Sequence, residues 1–196
     1  MGGGLALARR QMVSGETFHA PTALTHAWIA EGVVALATPS GERLLGKGDM
    51  VVPGRAGGLR AGAGGAVLWA ATLPTAPPAT SVVTAFVNGE ATVLAGDPYT
   101  VKRRAAETAG LLGTLHFAIP PGGGPIPHVH HRDGEVFVVL EGRLSLYADG
   151  VRTRAAAGDV VCLPCGIPHG LHRAPFSIFH KMMMPGMPST PFSRGL

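Results

Sequence analysis

The chain has 196 residues, 46% hydrophobic and 14% charged, with a mean hydropathy of +0.27, a formal net charge of +4 and a pI of about 9.6. That composition favours a folded protein of one domain or two small ones with a sizeable core. No stretch reaches the roughly 18 apolar residues of a membrane span, and MGGGLALARRQ has neither the order nor the length of a signal peptide, so a cytoplasmic protein with no membrane partner is expected. The basic residues are scattered as Arg9-Arg10, Lys102-Arg103-Arg104 and Arg152 with Arg154, without a basic helix, which argues against nucleic acid as a partner.

Twenty-nine glycines and seventeen prolines punctuate the chain, and no window carries a capped, amphipathic helical period. Many short strands and tight turns follow, so the fold class is all-β. Residues 1 to about 15 read as a loose or pairing terminus. From Gly15 to Pro74 the chain reads as a worn copy of a later region. Glu31-Gly32 parallels Glu141-Gly142, and Gly48-Asp49 parallels Gly158-Asp159, both at an offset of 110. Each copy places 15 residues between its glycines, and Ser40-Gly41 matches Asp149-Gly150 as turn chemistry. The expected organisation is 1–75 as this first half, a proline-rich linker at 76–81, a second half at 82–185, and a turn-rich tail at 186–196. At the start of the second half, Asn88-Gly89 between Val82–Val87 and Ala91–Leu94 predicts a hairpin. Lys102 to Thr108 predicts a helical turn or a loop over a rim, and Leu111 to Ile119 alternates as a strand.

The stretch from Gly122 to His169 carries the chemistry. His128 and His130 are two apart, so on extended chain both rings leave one face. Glu135 lies at an odd offset, but His131-Arg132-Asp133-Gly134 supplies turn residues that reset the register before the strand Glu135–Leu140. On that strand Glu135, Phe137 and Val139 share a face. His169 follows the strand Asp159–Leu163 and a Pro164-x-Gly166 turn. Imidazole and carboxylate donors brought to one point suit a divalent transition metal: Fe, Mn, Ni, Co, Cu or Zn. Cys162 and Cys165 straddle Pro164 on a strand and turn, away from the helix start that lowers a redox thiol's pKa, so they read as small structural residues.

These residues resemble the two motifs of the cupin superfamily. Gly122, His128, His130, Glu135 and Gly142 match the first without a gap. Gly158, Pro164, Gly166 and His169 match the second, whose closing asparagine is replaced by Arg173. The resemblance implies a double-stranded β-helix (jelly-roll barrel), bicupin-like, whose N-terminal half has lost its ligands: Phe18, Ala20, Thr25 and roughly Leu59 stand where the four would be. It implies His128, His130 and His169 as metal ligands and Glu135 as ligand and catalytic base. Residues 96–172 look most like bacterial cupins of the quercetin dioxygenase type. In that family a flavonol enolate binds the metal, the glutamate takes the hydroxyl proton and O2 cleaves the ring. Phe117, Phe137 and Ile178, with Val139 on the cavity face, would then line the pocket of a flat small-molecule substrate. Related cupins of natural-product pathways act as polyketide cyclases or isomerases, and others bind small molecules without turnover. Cupins often dimerise, so a homodimer is the expected assembly.

Overall fold

The computed structural model describes residues 6–19, 23–55, 57–94, 97–171 and 177–185. It divides into two compact units, Met1–Asn88 and Gly89–Leu196. The first holds β1 (Ala6–Met12), β2 (Thr17–His19), β3 (Leu24–Thr38), β4 (Gly41–Leu45), β5 (Met50–Val52), β6 (Gly58–Leu73) and β7 (Val82–Thr84). The second holds β8 (Glu90–Leu94), β9 (Asp97–Arg103), β10 (Gly113–Ile119), β11 (Asp133–Ala148), β12 (Val151–Ala156), β13 (Val160–Leu163), β14 (His169–Leu171) and β15 (Ser177–Pro185). The one helical element among the described residues is a 3-10 turn at Ala105–Thr108.

In the first unit the sheet runs β1-β6-β3-β5-β7, with β2 on β6 and β4 on β3; in the second it runs β12-β11-β15-β10-β9-β8, with β13 and β14 on β11. All pairs are antiparallel. Period-2 alternation aims one face of each strand inward. In the second unit Phe117, Ile119, Phe137, Val139, Leu144, Leu146, Val161 and Leu163 form the core, with Tyr99 stacked on Phe117 at 5.1 Å.

The offset of 110 survives in the backbone. Ile29 N donates to Asp49 O at 3.0 Å and Gly48 N to Ile29 O at 2.7 Å; Val139 N donates to Asp159 O at 3.0 Å and Gly158 N to Val139 O at 2.9 Å. Both long strands bulge at the same place, Ile29/Glu31 and Val139/Glu141. The next residue, Gly32 or Gly142, takes φ of 74° or 76°. At Gly32 a Cβ would lie 2.2 Å from Gly65 O, so only glycine fits. Core residues correspond as well: Ile29 with Val139, Val34 with Leu144, Leu36 with Leu146, Val51 with Val161. The repeat is one way of packing used twice.

Four expectations change. Val82–Thr84 pairs with β5, and β8 pairs with β9, so Asn88-Gly89 joins no hairpin. The units therefore part between Asn88 and Gly89, beyond the proline-rich 76–81, and 82–88 belong to the first unit. A strand's exposed edge accepts any partner with matching register, and the turn Ala85–Asn88, closed by Asn88 N to Ala85 O at 2.9 Å, leads away from β7. The turn between β3 and β4 is Pro39-Ser40, one residue before the expected pair, because Thr38 faces Gly41; the Asp149-Gly150 turn has both residues at positive φ, 48° and 78°. Finally, the strand begins at Gly113, since the Thr108 hydroxyl ties Leu112 into the preceding turn, accepting from its N–H at 2.9 Å and donating to its carbonyl at 2.7 Å. The tail 186–196 lies outside the described residues.

Candidate metal centre

Three pieces of the second unit meet at one point. Glu135 sits near the start of β11, opposite Leu163 of β13 on one side and Met183 of β15 on the other, so a sheet interior holds its backbone. Its side chain is 1% exposed. His169 opens β14, which pairs with the far end of the same strand, Ala148 facing His169. His128 ends the glycine- and proline-rich loop, and its backbone is bridged to His169: His128 N donates to His169 O at 2.8 Å and His169 N to His128 O at 2.9 Å. Directly opposed residues of an antiparallel pair project to one face, so both rings emerge together. Their centroids are 4.5 Å apart.

His130 joins them two residues later, as extended spacing requires. Its Nε2 is 3.2 Å from His128 Nε2 and 2.7 Å from Glu135 Oε1, while His169 Nε2 is 3.2 Å from Glu135 Oε2. One ligand atom from each of His128, His130, Glu135 and His169 falls within 4.8 Å of the others.

The two bridged rings are held from behind. His128 Nδ1 lies 2.8 Å from the Ile126 carbonyl and His169 Nδ1 lies 2.7 Å from the Ile167 carbonyl. A carbonyl only accepts, so each Nδ1 is the donor, and in the neutral form of each ring the Nε2 lone pair turns inward. His169 Nε2 is buried with no hydrogen-bond partner. Lone pairs on two imidazoles and a buried carboxylate thus converge on one point, where like partial charges repel. A cation removes that conflict, and neutral imidazoles with one carboxylate form the donor set of a divalent transition metal. The residues fit the group.

Four further contacts brace the site. Gly166 N and the Cys165 thiol donate to the His130 carbonyl at 2.8 and 3.4 Å. Asp97 Oδ2 accepts from Gly124 N at 2.9 Å, and the Pro125 carbonyl accepts from Leu171 N at 3.2 Å, which ties the loop to β9 and β14. A Cβ on Gly170 would lie 3.0 Å from Pro127 N, so glycine lets the loop lie against β14. Cys162 and Cys165 are free thiols, Cys162 on the outward face of β13.

Phe117, Phe137 and Val139 are 4%, 3% and 1% exposed and belong to the core cluster. Ile178 is half-buried. Arg173 lies outside the described residues. The carbonyls of Ile126 and Ile167 are functional groups that ligand spacing does not reveal, although a signal was present: the tripeptide Ile-Pro-His occurs twice, at 126–128 and 167–169. In the first unit the corresponding places are filled. Phe18 faces Leu59 across β2 and β6 as His128 faces His169, both residues pack into the core, and Thr25 is buried with its hydroxyl 3.2 Å from that of Thr72. Ala20 lies outside the described residues.

Residues 115–176 match the family model described as "Cupin domain". No curated protein sequence matches the chain significantly. Among solved structures, the putative glyoxylate-induced protein of Pseudomonas aeruginosa superposes with a TM-score of 0.74 at 15% identity, covering 97% of this chain and 78% of that one. The Lactobacillus farciminis oxalate decarboxylase gives 0.68 at 11% identity over 93% and 77% of the two chains. The salicylate 1,2-dioxygenase of Pseudoaminobacter salicylatoxidans, as its A85H variant, gives 0.66 at 15% over 92% and 70%.

Proposed function

We propose that this chain, a member of the cupin superfamily, is a metal-dependent enzyme that acts on a small aromatic or enolizable molecule, and that its reaction is a quercetinase-like dioxygenation. The observation that carries the reading is the convergence of His128, His130, Glu135 and His169 within 4.8 Å, with the Nε2 atoms of His128 and His169 left as inward lone pairs. These four would hold one Fe, Mn, Ni, Co, Cu or Zn ion. When bound, such an ion supplies Lewis acidity to a substrate oxygen, and a redox-active one supplies access to O2 chemistry.

The chain's own part is proton handling and placement. Glu135 is a carboxylate at 1% exposure whose two oxygens lie 2.7 and 3.2 Å from His130 and His169 Nε2. It is the one acidic group of the cluster and the natural acceptor for a substrate hydroxyl proton. Phe137 and Val139 share its face of β11, and Phe117 belongs to the same core. They supply the apolar wall against which a flat ring would lie; Ile178, expected beside them, stands opposite Ala118 of β10 and Glu141 of β11, on the other face of the sheet. Structural likeness to a salicylate 1,2-dioxygenase and an oxalate decarboxylase supports the fold as a frame for such sites, and each of those reactions is its own protein's.

The test is elemental analysis of protein purified without a metal-affinity tag, followed by O2 uptake with flavonols and catechols. About one Fe, Mn, Co, Ni or Cu per chain together with substrate-dependent O2 consumption supports the dioxygenase. Zinc at that level, with turnover and no O2 uptake, moves the assignment to a cyclase or isomerase. No metal after reconstitution overturns the enzyme reading in favour of a binding module. Glu135→Gln should lower kcat about 100- to 10,000-fold if the carboxylate is the base. Unchanged turnover in that variant removes Glu135 from the chemistry.

A further inference from the structure

The two ring-to-carbonyl contacts share one local sequence. Each histidine is preceded by proline and bonds the carbonyl of the isoleucine before that proline. His130, preceded by Val129, also turns its Nε2 toward the cluster, 2.7 Å from Glu135 Oε1. Two backbone dihedrals, φ and ψ of Pro, separate the isoleucine carbonyl from the histidine Cα. Proline fixes its own φ near −65° and confines the residue before it to extended ψ. One of the two, the proline φ, is therefore set before the protein folds. The reciprocal backbone bonds between His128 and His169 then hold the two segments antiparallel. Pro127 and Pro168 are both exposed, so neither is there to fill the core.

We propose that Pro127 and Pro168 are positioning residues. Each aims an isoleucine carbonyl at the Nδ1 of the histidine that follows and thereby sets which ring nitrogen presents its lone pair to the site. The consequence for metal rests on the function proposed above; the tautomer does not, because it is a property of the metal-free chain. Without the held carbonyl, a neutral imidazole exchanges between its two protonated forms, and one of them points N–H at the site, where a metal cannot bind.

The experiment is a long-range proton–nitrogen correlation through the imidazole rings of nitrogen-15-labelled, metal-stripped protein at about pH 8, above the ordinary histidine pKa. His128 and His169 are expected as the Nδ1–H form in the unsubstituted chain. Pro127→Ala should move His128 toward the Nε2–H form and leave His169 in place; Pro168→Ala should do the reverse. Each variant should also bind Co²⁺, read from its visible absorption, about 10-fold more weakly. Rings that are Nε2–H in the unsubstituted protein overturn the proposal, and that measurement needs no variant to fold. So do alanine variants that keep both rings Nδ1–H, or that shift the tautomer and bind Co²⁺ as tightly as before. Correct tautomers in a chain that never takes Co²⁺ would uphold the positioning role and overturn the metal reading instead.

Discussion

At Gly170 the space available is smaller than a methyl group. An added Cβ would meet Pro127 N at 3.0 Å, Pro127 Cα at 3.1 Å and the Ile126 carbonyl carbon at 3.3 Å. All three are backbone atoms that no rotamer change can move, so β14 or the loop must shift. Gly170→Ala should cost about 1–3 kcal/mol of stability, as an overpacked interior does, and should weaken metal binding by displacing His128 from its bridge with His169. Urea midpoints and a Co²⁺ titration measure the two effects. A variant as stable as the parent would mean the loop is not held as closely as the structure has it. The surroundings of Glu135 make the same point in reverse. Its burial between β13 and β15 fixes where the carboxylate stands, and the neighbouring imidazoles determine what it can do there.

Among the elements, β3 and β11 are one design with two outcomes. Both are long, bulge at the same position and place core residues at the same intervals. They differ in what stands around the inner end of the barrel: Glu135, His128 and His169 in one, Thr25, Phe18 and Leu59 in the other. The second set buries apolar surface where the first has the donors that could hold a cation, and Leu59 is 0% exposed. Leu59→Ala should therefore destabilise the first unit by about 2–5 kcal/mol, the usual cost of deleting a buried leucine. Metal content should stay as in the parent. Thermal unfolding followed with metal analysis checks both, and a loss of metal in that variant would mean the first unit contributes to binding.

For the whole molecule, acid sensitivity has an identifiable source outside the metal centre. His116 on β10 is 7% exposed, and burial first, then the charge of Lys102, lowers its pKa from 6.5 to about 4. In the unfolded chain the ring titrates near its ordinary value. Between those two values the unfolded state binds more protons, so acid favours unfolding. The contribution is fully present above about pH 6.5 and is lost as pH falls through 4, on the order of 3 kcal/mol in all. Replacing the ring by an uncharged amide, His116→Gln, should flatten the decline of urea stability between pH 7 and 4.5. Equal declines in parent and variant would place the acid sensitivity elsewhere.

The sequence by itself determined which four side chains meet at one point and how the chain repeats. His-x-His, the reset before Glu135, the Pro-x-Gly turn before His169 and the 110-residue offset are all relations between near neighbours or equal spacings. Period-2 geometry and turn chemistry turn such relations directly into structure. Tertiary structure alone decided the rest. The pairing of His128 with His169, 41 positions away, is made by backbone groups that every residue possesses, so no side-chain pattern announces it. The same reason sent Val82–Thr84 to β5 instead of β8, against a strong local hairpin signal. The inward lone pairs also depended on folding: the prolines preset the Ile-Pro-His segments, but only their antiparallel bridge aims both rings at Glu135.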